Sequence, residues 1–319
     1  MSRPTLAISW ASSCGGCDVA LLDLEARLLD LAEQYEIVYW PCVLDQKRSD
    51  LEARPDQSID CCLFNGAIRT SEDEAMAHIL RAKSRILVAF GSCAQEGCVP
   101  GLANLATRRE IFEESYIHAA STLNEGLIFP VPRSSLGEVD LELPRFFESL
   151  RTLDQVVAID AAVPGCPPEH GTIERALERL RREPAPEAGQ TVLGDGHATC
   201  CEDCPRHRRE KTIGRFYRIQ ELIPDQDECL LDQGILCMGP ATRSGCGALC
   251  PRAQVPCRGC YGAPDGVVDQ GAKMVSALGS VLDALDEEEA ERIIAQLVDP
   301  VGSFYRFSLP HALLQRTHP

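Results

Sequence analysis

The sequence predicts an α/β protein in two parts, a parallel sheet covered by helices on both faces, followed by a smaller, loop-rich part. Two observations predict this division. Strand-like and helix-like segments alternate through the first half of the 319 residues, which is typical of a parallel sheet with helical connections. Nine of the seventeen cysteines fall between Cys200 and Cys260, in a stretch that is poor in long apolar periodic runs.

Short apolar runs mark the strands of the first part. They cover Thr5 to Trp10, Glu36 to Trp40, Asp60 to Asn65, Ile86 to Phe90 and Val156 to Ile159. Apolar residues that recur every three or four positions mark the helices between them. These cover Val19 to Gln34, Ser71 to Ala82, Thr107 to Ser121 and Pro168 to Arg182. The order resembles a flavodoxin-like doubly wound sheet, in which ligands bind beyond the carboxyl ends of the strands.

A linker that carries proline and glycine, Arg182 to Gln190, predicts the domain boundary. We therefore expect a first domain over residues 1–183 and a second over residues 184–319. Beyond Cys260, two short helices are predicted, from Gly266 to Leu285 and from Asp286 to Leu297.

Composition excludes several classes of protein. A formal net charge of -17 argues against a general nucleic-acid binder, which needs clustered Lys and Arg. No apolar stretch approaches the roughly 18 to 20 residues that a membrane-spanning helix needs, and the run from Leu6 to Trp10 is too short for the core of a signal peptide. We expect a cytoplasmic protein without a membrane anchor of its own.

The thiols of the second part need a partner that the composition does not name. Disulfides are disfavoured because the cysteine total is odd and no export signal is present. Zinc and iron-sulfur clusters both use thiolate pairs such as Cys201-x-x-Cys204 and Cys257-x-x-Cys260. The spacing of the pairs leaves both kinds of site open.

Four cysteines of the first part follow three different predicted strands. Cys14 and Cys17 enclose two glycines after the first strand, Cys93 follows Gly91-Ser92, and Cys166 lies within Pro-Gly-Cys-Pro-Pro. The carboxyl ends of parallel strands meet at one edge of a sheet, so these thiols are expected to converge there. Neighbouring glycines let backbone N–H groups approach the sulfurs. The pattern predicts a four-thiolate site on a rigid scaffold.

The remaining thiols of the first part have simpler interpretations. Cys42, Cys61 and Cys62 sit in or beside strands without adjacent glycine, which favours small buried side chains. Cys98 is interpreted as a spare thiol, with an alternative role as ligand. Asp18, next to Cys17, is interpreted as the N-cap of the helix that begins at Val19, with proton relay as the alternative.

These motifs together resemble those of the small subunit of nickel-iron hydrogenases. Cys14-Gly-Gly-Cys17, Gly-Ser-Cys93 and Pro-Gly-Cys166-Pro-Pro look like the proximal-cluster motifs of that family. The motifs Cys237-Met-Gly-Pro, Cys250-Pro and Pro-Cys257-Arg-Gly-Cys260 look like those of its second domain. The closing segment, Asp299-Pro-Val-Gly and Phe304-Tyr-Arg-Phe, is similar to the cytoplasmic methyl-viologen-reducing branch that supplies heterodisulfide reductase.

The resemblance implies three 4Fe-4S clusters in a row. We call the three sets of thiols that would hold them the proximal, middle and distal sets. The proximal set comprises Cys14, Cys17, Cys93 and Cys166. The middle set comprises Cys246, Cys250, Cys257 and Cys260. The distal set comprises Cys201, Cys204, Cys229 and Cys237, and Cys200 is the alternative to Cys201. No other residue of the chain is expected to bind metal.

The implied function is electron relay in a hydrogenase. Hydrogen would be split at a nickel-iron centre in a separate large subunit, and electrons would pass through this chain to a further iron-sulfur acceptor, such as one in a heterodisulfide reductase complex. The alternative is an interaction scaffold with three four-cysteine zinc sites and no redox role. A flavin-binding electron-transfer domain is a third hypothesis, which rests on sheet topology alone.

Overall fold

The computed structural model describes residues 3–182, 191–193, 196–209 and 212–314. Its strands are β1 (Thr5–Trp10), β2 (Glu36–Tyr39), β3 (Ile59–Asn65), β4 (Ile68–Thr70), β5 (Ser84–Phe90), β6 (Arg133–Leu136), β7 (Val139–Glu142), β8 (Phe146–Arg151), β9 (Ala161–Val163) and β10 (Thr191–Val192). Its α-helices are α1 (Gly16–Leu22), α2 (Arg27–Gln34), α3 (Arg48–Glu52), α4 (Ser71–Lys83), α5 (Ser92–Glu96), α6 (Arg108–Glu113), α7 (His170–Arg182), α8 (Cys200–Asp203), α9 (Leu249–Arg252), α10 (Gln270–Gly279), α11 (Glu287–Ile294) and α12 (Pro300–Phe304).

The central sheet is parallel throughout, with the order β10-β9-β5-β3-β1-β2. Numbered along the chain, the first five of these strands stand in the order 2-1-3-4-5, which is the flavodoxin-like arrangement. The predicted fold class, a doubly wound parallel sheet followed by a smaller loop-rich part, is confirmed.

The two adjacent cysteines of β3 show how the sheet is covered on both faces. Side chains alternate along a strand, so Cys61 and Cys62 point to opposite sides. Cys61 packs with Leu21 and Ile173 against α1 and α7. Cys62 packs with Leu80 in the core beneath α4. Each face therefore has its own apolar core, and neither core depends on the thiols at the sheet edge for its bulk.

Two predicted helices of the first part are shorter or interrupted. The helix predicted from Val19 to Gln34 is two helices, α1 and α2, because Glu25 has a left-handed φ of 53° that ends a right-handed helix. The apolar spacing continues across the break and hides it. The helix predicted from Thr107 to Ser121 begins as expected with α6, where Thr107 accepts the N–H of Glu110, and ends in a π-helical turn at Glu114–His118.

The strand predicted at Val156 to Ile159 is wrong. The N–H groups of Val156 and Val157 both bond back to the carbonyl of Leu153, at 3.0 Å, and so form a turn. The chain enters the sheet at Ala161, which pairs with Val88 of β5. Alanine has a low strand preference, and the sequence pattern therefore favoured the more β-branched run five residues earlier.

Two small antiparallel pairs were not predicted. The pair β4–β8 and the hairpin β6–β7 lie outside the central sheet. Both strands of the hairpin are exposed along their whole length. Without a buried face, these strands lack the alternation that marks a strand in a sequence.

The second part has few regular elements, and its predicted helices are shorter than expected. The helix predicted from Gly266 to Leu285 is α10, and the one predicted from Asp286 to Leu297 is α11. The core of this part contains three cysteines, Cys200, Cys237 and Cys257, packed with apolar side chains such as Met274. Thiols thus form part of the core itself.

The predicted linker falls largely outside the described residues, since 183–190 are not described. Just beyond it, β10 pairs with β9 and extends the sheet. The chain also returns to the first part near its end, where Phe307 packs on Cys93 and Cys98. The boundary between residues 183 and 184 stays a prediction.

Candidate metal centres

The proximal set lies at the carboxyl edge of the sheet. Cys14 lies in the loop that follows β1, and Cys17 lies in the first turn of α1. Cys93 lies in the first turn of α5, which follows β5, and Cys166 follows β9. Burial raises the pKa of Cys17, and the neighbouring Cys166 and Cys14 add to this shift. The structure therefore brings together thiols from three strand ends, as the sequence predicted.

Gly91 explains how closely these loops approach. Its φ is 84°, and a Cβ at this position would lie 2.4 Å from Cys17 Sγ and 3.4 Å from the carbonyl oxygen of Gly165. Only glycine fits such a place, since the conformation and the contact both exclude a side chain. The N–H of Gly16 points at Cys14 Sγ, at 3.4 Å, which is the kind of contact that stabilises a thiolate.

Cys98, interpreted from the sequence as a spare thiol, lies in the same group. Its Sγ is 3.5 Å from Cys166 Sγ, and it packs against Cys93. The structure therefore brings five thiols to this edge. The sequence left a ligand role for Cys98 open as the alternative to a spare thiol. Cys98 reaches the group through a positive φ of 51° that redirects the chain after α5.

The middle set lines one continuous cavity with two thiols of the proximal set. All four of its thiols border the cavity, and so do Cys14 and Cys166. Burial raises the pKa of Cys250 and Cys260, and both thiols also feel Cys257 and Cys246. The proximal and middle sets are therefore direct neighbours.

The distal set lines a second cavity. Its four thiols border this cavity together with Gly239, where a Cβ would lie 3.0 Å from Cys201 Sγ. Burial raises the pKa of Cys201 to about 11, with contributions from Cys229 and Cys204. The backbone N–H of Cys257, a member of the middle set, donates to Cys237 Sγ at 3.3 Å. The distal set thus adjoins the middle set.

Cys200 and Cys201 point to different sets. Cys200 borders both cavities, but the thiols that act on it are Cys246 and Cys257 of the middle set, which raise its pKa. Cys201 faces Cys229 and Cys204. Of the two adjacent thiols, the geometry favours Cys201 for the distal set, and Cys200 becomes a fifth thiol beside the middle set.

The donor chemistry fits clusters of several metal ions. Within the described ranges, no group of three or more Cys, His, Asp or Glu side chains has the geometry of a site for a single metal ion. The middle and distal thiols border cavities, and four thiolates are a ligand set for an iron-sulfur cluster. Their burial disfavours the thiolate unless positive charge is adjacent, and metal supplies that charge.

Two assignments beside the proximal set need correction. Asp18 does not cap a helix, because α1 begins at Gly16 and Asp18 lies inside it. Its carboxylate is buried and accepts hydrogen bonds from Trp40 Nε1 at 2.8 Å and from Asn65 Nδ2 at 2.6 Å. Cys42 was expected to be buried and is exposed, in a turn after β2. Cys61 and Cys62 are buried as predicted.

Comparisons with known proteins agree with this arrangement. Residues 14–180, just over half of the chain, match the family described as NADH ubiquinone oxidoreductase, 20 Kd subunit. The chain is 41% identical over 317 residues to the iron-sulfur subunit of the F420-non-reducing hydrogenase of Archaeoglobus profundus, covering 98% of both chains. It is 34% identical over 310 residues to the corresponding F420-non-reducing hydrogenase subunit of Methanothermobacter marburgensis, covering 96% of this chain and 94% of that one.

The chain belongs to this family of F420-non-reducing hydrogenase subunits. The resemblance to hydrogenase small subunits of the methyl-viologen-reducing type is thereby confirmed, and the chain is a hydrogenase subunit, part of an oxidoreductase. The solved [NiFeSe]-hydrogenase of Dm. baculatum has a chain of the same fold, with a TM-score of 0.51 at 17% identity, covering 83% of this chain and 96% of that one. These relatives lend no support to a zinc scaffold.

The helices are short in comparison with a lipid bilayer. In the part of the chain that the structure describes, no helix is both long enough and apolar enough to cross a membrane.

Proposed function

We propose that this chain relays electrons in a nickel-iron hydrogenase through three 4Fe-4S clusters. The proximal, middle and distal sets would each hold one cluster by four thiolates. A cluster held by four thiolates has no open position for substrate, and its chemistry is one-electron transfer. The two-domain division at residues 183 and 184 is part of the same proposal.

The proposal rests on which of the three thiol sets are neighbours in space. The proximal and middle sets share a cavity, and the middle and distal sets touch through the N–H of Cys257 and the sulfur of Cys237. The distal cavity is bordered by no thiol of the proximal set among the described residues. The order in space therefore supports a single path with one end at the sheet edge.

The chain's own atoms do two things along this path. Backbone N–H groups of Gly16 and Cys257 point at Cys14 and Cys237, where they stabilise negative charge on sulfur. Cys17, Cys93, Cys237 and Cys257 are buried, which excludes water from most of the path. Exposure increases at Cys14 and Cys166, which leaves the proximal end accessible to a partner.

The proximal end has the surface expected for docking of the large subunit. Val19 borders the same cavity as Cys14, and Trp10 lies against Gly15, the next residue after Cys14. These two large apolar side chains are exposed by 53% and 50%, and Leu22 at the end of α1 is exposed by 42%. We propose that the nickel-iron large subunit covers them and delivers electrons to the proximal set. Electrons then leave from the distal set to a further iron-sulfur subunit, such as one of a heterodisulfide reductase complex, in the cytoplasm.

Metal analysis of the anaerobically purified complex tests this function. Three sets of four thiolates predict about twelve irons per chain of this subunit, at four irons per set, after subtraction of iron in the other subunits. The protein should be brown, bleach with dithionite and be reduced by H2. A colourless protein with stoichiometric zinc would instead establish the scaffold, and about eight irons would remove one of the three sets.

A further inference from the structure

Arg206 is a buried cation in the lining of the distal cavity. It comes two residues after Cys204, borders the cavity, and its exposed fraction is 8%. Its guanidinium makes four hydrogen bonds. They go to the backbone oxygens of Pro251 (3.2 Å), Asp225 (2.7 Å) and Glu228 (2.8 Å), and to Oε1 of Gln254. All four acceptors are uncharged.

The hydrogen bonds of Arg206 satisfy its N–H groups with neutral oxygens, but burying a cation is costly unless a negative group is close. Among the described residues, no carboxylate is hydrogen-bonded to Arg206. The exposed carboxylate of Asp225 accepts the backbone N–H groups of Asp227 and Glu228, and these bonds, together with the charges of Arg209 and Arg206, lower its pKa. The counter-charge that Asp225 offers to Arg206 therefore acts through space and is screened by water.

A second buried arginine shows the ordinary arrangement. Arg243 is also buried, with 7% exposed, but it pairs with the carboxylate of Asp265 at 2.7 Å. Two buried arginines of the second part thus differ in one respect. Arg243 is paired with a carboxylate, whereas Arg206 is hydrogen-bonded only to neutral oxygens and borders the cavity that the distal thiols line.

We infer that Arg206 raises the reduction potential of the distal site. The inference rests on the proposed function, in which four thiolates surround an iron-sulfur cluster here. Net charge is one of the factors that set such potentials, and reduction adds a negative charge. A fixed positive charge next to the site favours the reduced state, and burial protects this effect from screening by salt. Arg206 would therefore make the distal set the preferred receiver of electrons from the middle set.

A structural role is the alternative, because the hydrogen bonds of the Arg206 guanidinium also link the loop at residues 225–228 to α9 and Gln254. The variant Gln254→Glu separates the two roles. This variant keeps an oxygen that accepts from Nη2 of Arg206, so the links made by the guanidinium remain, and it places a carboxylate against Arg206. The side chain of Gln254 is exposed, so the added charge does not need to be buried.

The test is a redox titration of the whole complex, followed by electron paramagnetic resonance of the distal signal. At the potential where the distal site of the unmodified protein is half reduced, the reduced-to-oxidised ratio of that site should be lower in Arg206→Met, on the order of tenfold. This is equivalent to a fall of about 59 mV in the midpoint potential for one electron. Gln254→Glu should shift in the same direction, and Arg206→Lys should stay near the unmodified value. Arg208→Met removes an exposed arginine of the same lining, whose charge opposes the rise in the pKa of Cys201. This variant should shift the midpoint less than Arg206→Met, because water screens the exposed charge.

The outcomes separate this inference from the proposed function. An unchanged midpoint in Arg206→Met and Gln254→Glu, with full iron content, overturns the role of Arg206 and leaves the relay intact. Equal shifts in the Met and Lys variants, with none in Gln254→Glu, assign Arg206 to cross-linking and also overturn it. If Arg206→Met loses the distal signal, Gln254→Glu decides alone. An unmodified protein without iron at the distal set contradicts the proposed function instead.

Discussion

The proximal site and the two sites of the second part are held in different ways. The proximal thiols stand at the edge of a six-stranded sheet, above two apolar cores that lie on its two faces. The second part has short helices of four to ten residues, and cysteines of the middle and distal groups are members of its core. In the proposed function, the first part would carry one metal site, whereas the second part would be built around two.

We infer from this difference that thiolate chemistry serves one structural purpose in the first part and another in the second, a site added to a stable sheet and a support for the fold itself. A sheet of this size buries enough apolar surface to fold without metal. A segment with few regular elements gains much of its folding free energy from the metal itself, because the ligands are brought together only on binding. Metal loss should therefore have unequal consequences in the two parts.

Removal of all metal should produce the largest effect. Anaerobic chelation should unfold the second part, while β3 and β5 keep their protection, since their cores contain no middle or distal thiol. Hydrogen exchange measured by mass spectrometry checks this. We expect rapid exchange over residues 229–260 and slow exchange over residues 59–65 and 84–90. Equal loss of protection in both regions would contradict the comparison.

Single thiol losses should repeat this contrast on a smaller scale. Cys237→Ala should remove the distal signal and also lower the thermal stability of the second part, because Cys237 lies in its core. Cys14→Ala should remove the proximal signal and leave protection of the sheet nearly unchanged, because Cys14 is exposed and belongs to neither core of the sheet. Iron content, electron paramagnetic resonance and hydrogen exchange together distinguish the two variants. A global loss of protection in Cys14→Ala would show that the sheet also depends on its metal.

Gly91→Ala tests how rigidly the sheet edge holds its thiols. The added Cβ would lie 2.4 Å from Cys17 Sγ at a φ of 84°. We therefore expect the free energy of unfolding to fall by about 1 to 3 kcal/mol and the proximal signal to be perturbed. Gly137→Ala is the control, since Gly137 also has a positive φ, of 64°, but no atom within 4 Å. Gly137→Ala should lower the free energy of unfolding by about 1 to 2 kcal/mol, from backbone strain alone, and leave the proximal signal unchanged. Equal effects would mean that strain, and not the contact with sulfur, dominates.

The thiols that hold no metal should give the smallest effects. Cys62→Ala removes a fully buried side chain and should cost about 1 to 2 kcal/mol in the free energy of unfolding. Cys42 is exposed, and Cys42→Ala should change that free energy by less than about 0.5 kcal/mol. Denaturant unfolding of the two variants measures both values, and all cluster spectra should stay unchanged. Loss of a cluster signal in either variant would overturn the ligand sets.

The sequence predicts regular elements best where the chain has one clear buried pattern. The strands β1, β3 and β5 lie within one or two residues of their predicted bounds, because they are continuous apolar runs in a sheet that is covered on both faces. The strand β9 was missed because two of its three residues are alanine. The interruption at Glu25 was missed because a single left-handed residue leaves the apolar period intact.

The gathering of thiols was predictable only in part. Strand ends of a parallel sheet meet at one edge, so topology alone placed the proximal set together. No comparable rule applies in the second part, where family resemblance grouped the thiols. The sequence favoured a spare thiol at Cys98, whose Sγ lies 3.5 Å from Cys166 Sγ. Neither source anticipated that Cys200 would lie beside Cys246 and Cys257 of the middle set. Both placements depend on local backbone conformation that spacing does not encode.

The most direct test of a single path is to alter its middle site through Cys250. This residue lies in the first turn of α9, where proline is tolerated, and Pro251 already follows it. Cys250→Pro removes one thiolate, so a three-iron signal should appear in the oxidised complex. Fewer thiolates raise the potential of that site, and it should then retain electrons.

The deciding measurement is the rate at which H2 reduces the distal site in the Cys250→Pro complex, followed by rapid freezing and electron paramagnetic resonance. If electrons pass from the proximal set through the middle set to the distal set, the proximal signal should be reduced at the unmodified rate and the distal signal much more slowly. Distal reduction at the unmodified rate, with the three-iron signal present, would contradict a single path. Full iron content without that signal would show that Cys250 is not a ligand.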